Sequence, residues 1–272
     1  MPSKSDSSLV RDLIDDATSA GPYPDGSSQG RGIVICAGGP VMLTNAYVLV
    51  RVLRDIHKSR LPIEMWHLGA QEMPGLMAAV FNELGCKVID ARSGNDTSIH
   101  DGWQLKSHAV KNSGFEDVLL LDADQVPLAD PEVLFDCPQY LETGAIFWPD
   151  IIDLAAENPI WPMLGLEPEQ VRSWESGQLC VNRKRHWKAI NIALAMNQRA
   201  ETFYKLVYGD KDTFLLAWRL GGSECALVPH SPFQSERFLC QRDFDGTPLF
   251  QHRTNCKWSL NEANVNAAGF KL

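Results

Sequence analysis

Positive charge is scarce in this chain: 272 residues carry 25 Lys and Arg against 34 Asp and Glu, a net charge of −9. Such a surface repels polyanions and disfavours nucleic acid or an anionic membrane as partner. It still admits a small phosphorylated ligand whose charge a bound cation offsets. Long apolar runs are missing too, none approaching the ~20 residues of a membrane span. Met1 to Val10 is polar, without the apolar centre of a signal peptide. These absences predict a soluble, cytoplasmic protein with no membrane span. Clustered cysteine is also lacking. The seven cysteines (36, 86, 137, 180, 225, 240 and 256) include no Cys-x-x-Cys pair. Neither a disulfide framework nor a zinc site is expected, and a reducing compartment suits them. Cys36 and Cys180, in apolar runs, read as small core residues. Internal repeats and low-complexity tracts do not occur.

What is present points to one large α/β domain, in a chain long enough to bury a substantial core. Residues 1–30 hold a short amphipathic patch, Leu9 to Ala17, and then turn chemistry from Gly21 to Ser28. They are expected to form a flexible arm. From residue 31, strand–helix units alternate. Strands are predicted at Gly32 to Ala37, Ile63 to Leu68 and Lys87 to Asp90. Helices are predicted at Thr44 to Lys58, Pro74 to Leu84 and Trp103 to Lys111. The pattern implies a doubly wound, mostly parallel sheet. After residue 127 a mixed α+β half follows, with strand-like runs at Gly144 to Trp148, Gln178 to Val181, Glu224 to Val228 and Pro248 to His252. Helical runs lie at Lys184 to Gln198 and Asp212 to Leu220. The expectation is a single domain over 31–272, divided into 31–127 and 128–272.

The stretch around which the chain is organised reads Asp-Val-Leu-Leu-Leu-Asp-Ala-Asp-Gln-Val-Pro, from Asp117 to Pro127. The continuous apolar block Val118 to Leu121 suits a central strand covered on both faces. Pro127 cannot donate to a ladder, so that strand ends before it. Asp122 and Asp124 therefore fall at the carboxyl end of a buried strand, where open α/β sheets bind ligands. Two acids this close repel unless a cation sits beside them, and a hard divalent cation carrying substrate phosphates fits. The plainer alternative is an acidic turn in which Asp124 caps the next segment.

Other candidates are weaker one by one. Ala37-Gly38-Gly39 after the first strand would let a nucleotide approach the backbone, or form a simple tight turn. It is neither a dinucleotide fingerprint nor a phosphate loop. Glu175-Ser176-Gly177-Gln178 reads as a surface turn or a ligand-facing crevice. Asp210-Lys211-Asp212 opens a helix, and capping explains one of its acids but not both. His252, ending a short strand, is a structural histidine or the nitrogen ligand of a two-carboxylate site, with Lys257 nearby for phosphates. Trp148, Trp161 and Trp174 fall in loop-like stretches, suited to sugar rings or to the core.

In order along the chain, these segments resemble the fungal-type α-mannosyltransferases of glycosyltransferase family 71, which have a GT-A fold. The resemblance covers roughly Gly32 to Leu260. It is carried by Leu120 to Asp124 with Val126-Pro127 and Asp130-Pro131, by Gly144 to Asp150, and by Asn158 to Trp161. Glu175 to Gln178, Tyr208 to Phe214, His252-Arg253 and Lys257-Trp258 complete it. It implies retaining transfer of a hexose, mannose from GDP-mannose, to a hydroxyl of a glycan or glycoconjugate. It makes 31–127 the nucleotide-sugar half and 128–272 the acceptor side. On the same basis Asp122 orients ribose or metal, while Asp124 and His252 coordinate Mn²⁺ (or Mg²⁺). Lys257 and Lys106 contact the donor, and Glu175 and Asp210-Lys211-Asp212 line the sugar and its anomeric carbon.

Two other classes compete. Asp122 to Val126 matches the Asp-x-Asp-x-Thr/Val signature of haloacid-dehalogenase-type phosphatases. That strand normally comes first, however, whereas three strand–helix units precede it here. The downstream Gly-Asp-x-x-x-Asp also fails, at Phe214. A nucleotide-sugar- or carbohydrate-binding protein without turnover is the non-enzymatic alternative. A calcium loop is excluded because Val126 offers no side-chain oxygen.

Overall fold

The apolar block before the aspartates becomes the centre of the sheet. In the computed structural model, which describes residues 4–24, 26, 28–93, 99 and 101–260, Val118 to Leu121 are fully buried. The expectations for residues 1–3, Asp25, Ser27 and 261–272 lie outside the described residues. Strand β1 (Arg31–Cys36) is followed by helix α2 (Gly39–Arg51), whose last turns widen over Val52–Ile56, after an N-terminal helix α1 (Lys4–Ser19). Then come β2 (Ile63–His67), α3 (Gly75–Glu83), β3 (Cys86–Asp90), α4 (Gly102–Asn112) and β4 (Asp117–Asp122). β3, β2, β1 and β4 run parallel in that order.

The second half adds β5 (Gln125–Pro127), α5 (Pro138–Thr143), β6 (Ala145–Leu154), α6 (Ile160–Met163) and β7 (Val171–Asn182). It closes with α7 (Trp187–Gln198), α8 (Ala200–Phe203), α9 (Lys211–Gly221), β8 (Ala226–Leu227), β9 (Phe233–Gln234), β10 (Leu239–Arg242) and β11 (Pro248–His252). β7 pairs antiparallel with β4 and β6, so the main sheet has the order β3-β2-β1-β4-β7-β6-β8. A separate antiparallel sheet has the order β5-β11-β10-β9. This is the α/β, mostly parallel layout with a mixed second half that the GT-A resemblance implied.

Alternation along the buried strands sends side chains to two cores. Val34, Val118 and Leu120 pack with Leu105 and Ala109 of α4 and with α7 and α9. Ile33, Ile35, Leu119 and Leu121 pack with Leu43, Ala46 and Leu49 of α2 and Phe81 of α3. Helices thus cover both faces, which is why the strands are apolar throughout. Pro127 ends up in β5, an edge strand, where its missing N–H costs no ladder bond. No helix among the described residues is long and apolar enough to cross a membrane.

Two expectations are corrected, and one open alternative is decided. The N-terminal segment is not a loose arm. Leu13 and Ala17 of α1 are buried against α7, and Asp16 pairs with Arg199 at 2.6 Å. Leu9, Leu13 and Ala17 recur every fourth residue, a stripe that this contact removes from water. Trp148, Trp161 and Trp174 are core residues rather than sugar platforms. Trp148 Nε1 donates to the Arg242 carbonyl at 2.7 Å, Trp161 Nε1 to that of Ala155 at 2.8 Å, and Trp174 stacks on Phe147. Glu175 to Gln178 is no surface turn but the buried middle of β7.

If α1 is an integral layer, Leu13→Ala should cost about 2–4 kcal/mol in urea denaturation monitored by circular dichroism. A change within about 0.5 kcal/mol, the ordinary size of a surface substitution, would mark the helix as dispensable.

Candidate active site

The sheet delivers its acids to one place. β4 ends at Asp122, and the chain turns through Ala123 and Asp124 straight into β5. β11 then pairs with β5 so that His252 lies opposite Gln125. The second sheet therefore sets an imidazole beside an aspartate roughly 130 residues earlier in the chain. The ligand atoms of Asp122, Asp124 and His252 lie within 4.8 Å of one another. His252 Nε2 is 3.2 Å from Asp124 Oδ1 and 3.9 Å from Asp122 Oδ2.

Gly177 on β7 makes room for this. A Cβ there would come within 2.7 Å of the His252 ring and of the Gln125 amide. Glu175, two residues earlier, accepts from Gly177 N at 2.8 Å, and its carboxylate stands 3.7 Å from His252 Nδ1. Burial lowers the His252 pKa, but Asp124 first and then Glu175 and Asp122 outweigh it, raising the value to about 9. Burial alone would raise Asp124, yet His252 and Lys257 hold it below the ordinary carboxylate range.

Two lysines complete the cluster. Lys257 Nζ bonds Asp124 Oδ2. Its segment is clasped from α2: Asn45 Oδ1 accepts from Trp258 N at 2.9 Å and Asn45 Nδ2 donates to Trp258 O at 3.0 Å. Lys106 on α4 is buried and donates to Asp122 Oδ2 at 2.9 Å and Ser176 Oγ at 3.2 Å, with Asp210 Oδ2 3.3 Å away. Burial would lower the Lys106 pKa, but Asp122 and Asp210 hold the ammonium protonated. In turn burial raises Asp122 and Asp210, and Lys106 opposes it.

Asp122, Asp124, Glu175, Asp210, His252, Lys106 and Lys257 all border one cavity of about 990 Å³ at the carboxyl ends of β1 and β4. Ala37 and Gly38 line it, and a Cβ at Gly38 would strike the Glu72 carboxylate at 2.1 Å. The amides of Ala37 and Gly39 are committed to the Trp66 and Glu72 carbonyls, so this loop is no phosphate nest. Lys211 lines the cavity and pairs with Asp150. Asp212, by contrast, is buried behind the wall beside Ser173 and does not border the cavity. The parts played by Asp150, Ser176, Glu72 and Asn45 escape the sequence reading, although Asp150 and Ser176 fall in the stretches Gly144 to Asp150 and Glu175 to Gln178 that carry the resemblance.

The cluster suits a divalent cation. Asp124 Oδ1 is buried and receives no hydrogen bond. Two carboxylates and one imidazole make an oxygen-rich donor set of the kind that takes Mn²⁺ or Mg²⁺ rather than a thiol-seeking metal.

Burial raises the Asp212 carboxyl to about 6, with the Ser173 hydroxyl and Lys211 offsetting part of the shift. The folded chain then binds this proton more tightly than the unfolded chain. Its stabilising effect is present at acid pH and lost as pH rises through about 6. Asp212→Asn should therefore flatten the decline in melting temperature between about pH 4 and about pH 7 seen by scanning calorimetry. An unchanged slope would show that Asp212 is ionised at no cost.

The sequence model of a mannosyltransferase family, Mannosyl_trans3, matches residues 30–172 and 163–235. Alpha-1,2-mannosyltransferase MNN2 of Saccharomyces cerevisiae is 26% identical, over 84% of this chain and 46% of its own length. Alpha-1,2-mannosyltransferase MNN21 of Candida albicans is 28% identical, over 79% of this chain and 40% of its own. The chain thus spans less than half the length of these relatives. Among solved structures, the galactosyltransferase LgtC with donor and acceptor sugar analogues aligns over 72% of each chain at 17% identity and a TM-score of 0.48, too distant to bear on function. With the family match extending over most of the sheet and through Asp122, Asp124, Glu175 and Asp210, the chain belongs to this mannosyltransferase family.

Proposed function

We propose that this chain is a metal-dependent, retaining glycosyltransferase domain that moves mannose from GDP-mannose to a hydroxyl of a glycan or glycoconjugate. The observation that carries the reading is the convergence of Asp122, Asp124 and His252 with Lys106 and Lys257 in one open cavity. Family membership favours transfer over the phosphatase alternative.

Asp122, Asp124 and His252 would hold the cation, which when bound supplies Lewis-acid stabilisation to the diphosphate leaving group. Lys257, bonded to Asp124, would place a second positive charge beside the carboxylates that would hold the cation, where the phosphates would collect. In the reaction the C1–O bond to phosphate breaks and its electron pair leaves with the nucleoside diphosphate. The acceptor oxygen bonds to C1 on the same face, and its proton passes to the departing phosphate. No strong protein base is required. Positive charge grows on the sugar ring, and Glu175 and Asp210, which border the cavity beside the aspartate cluster, would face it. Lys106 orients Asp122 and Asp210 together.

Nucleotide release from a panel of UDP- and GDP-sugars, with and without Mn²⁺, tests the proposal. GDP-mannose with Mn²⁺ should give the fastest release, and Asp124→Ala should lower it roughly hundredfold. Equal rates for wild type and Asp124→Ala would end the reading.

A further inference from the structure

Two aromatic rings stand exposed at the rim of the cavity and take no part in the cluster beneath. Trp103, in the first turn of α4, is 49% exposed, and Tyr208, just before α9, is 68% exposed. Both border the same cavity as Asp122 and Lys106. Their ring centroids are 6.3 Å apart and tilted by 40°, a shallow angle open to solvent rather than a closed stack.

Neither ring is loose. Trp103 meets Tyr204 edge-on at 6.0 Å, and a Cβ on Gly209 would come within 3.1 Å of the indole. Gly209 has φ +66°, so this seat for the indole is one that glycine alone offers without strain. Tyr208 carries the Lys211 ammonium 4.5 Å from its centroid, and Asp150 anchors that ammonium. Rings fixed in this way lose little freedom on binding a ligand.

The rim's charge selects among ligands that stack. Among the described residues, Asp101 and Asp150 border it, and the one cation there, Lys211, is paired with Asp150. Among these residues a phosphate would find no unpaired positive charge at this end. A neutral ring with an apolar C–H face and a hydroxyl edge matches both features: aromatic faces for the ring and carboxylates for the hydroxyls. We infer that Trp103 and Tyr208 form the acceptor subsite, stacking a neutral hexopyranoside with its attacking hydroxyl turned into the cavity. This rests on the transfer reading above.

The test compares wild type with Trp103→Ala, Tyr208→Ala and Tyr208→Phe. Initial rates are measured with methyl α-mannoside and α-mannobiose as acceptors, at saturating GDP-mannose and Mn²⁺. Acceptor-free GDP release is followed in parallel, and saturation-transfer NMR reads methyl α-mannoside binding without donor or metal. Both alanine variants should raise the acceptor KM about tenfold, the scale of one lost aromatic contact. They should leave the donor KM and acceptor-free release unchanged and weaken the NMR signal, while Tyr208→Phe stays near wild type. Should Trp103→Ala fail to fold, Tyr208→Ala, at an exposed ring, still decides. An unchanged acceptor KM overturns the inference, and so does a raised donor KM, which would make the rings a nucleobase platform. Absent GDP release from wild type would remove the transfer reading, and the NMR comparison alone would then uphold or overturn the stacking.

Discussion

Burying carboxylates near one another requires cations, and that requirement shapes this molecule. Asp122, Asp124, Glu175 and Asp210 crowd the end of β4, each largely removed from water. Lys106, Lys257 and His252 are the cationic groups that meet them. Removing one partner from such a cluster leaves a charge stranded in a poor dielectric, far costlier than losing an exposed ion pair. The elements that bring the three cations are therefore as necessary to the site as the strand bearing the acids.

Each cation arrives by a different route. Lys106 comes from the helix leading into β4 and lies under the cluster. His252 arrives through the four-stranded sheet, where β11 pairs with β5. Lys257 depends on a segment without regular structure. The Asn45 clasp on Trp258 and the Arg253 guanidinium, 3.9 Å from the Trp258 ring, hold that segment in place. A divalent cation entering among Asp122, Asp124 and His252 would relieve the crowding that the lysines only balance.

The parallel half of the fold was legible because both cores act on it. Apolar runs such as Val118 to Leu121, punctuated by helices of regular period, admit few other arrangements. The acids of the site were legible for the same reason, since a strand's end locates its last residues. His252 and Lys257 were legible from residue type and strand position only as weak candidates, which the ordered resemblance strengthened, because the pairing that places them is long-range. Glu175 to Gln178 misled because Gly177 looks like a turn glycine. It is a strand glycine that clears space for His252, a fact absent from local sequence. The α1 helix was misjudged because turn residues after it resemble a linker, while its Leu13 stripe finds a partner only in α7. Trp103 and Tyr208 were read only as the start of a helix and of a resemblance stretch, since exposure at a rim is a property of the assembled cavity.

The account stands on the cation being held by His252 together with the two aspartates. Electron spin-echo envelope modulation of Mn²⁺ bound in the presence of GDP reports directly on a coordinated imidazole nitrogen. Wild type should show ¹⁴N modulation from one histidine, and His252→Ala should lose it while the fold persists. Mn²⁺ that binds without ¹⁴N modulation, or whose spectrum is unaltered in His252→Ala, would contradict the assignment.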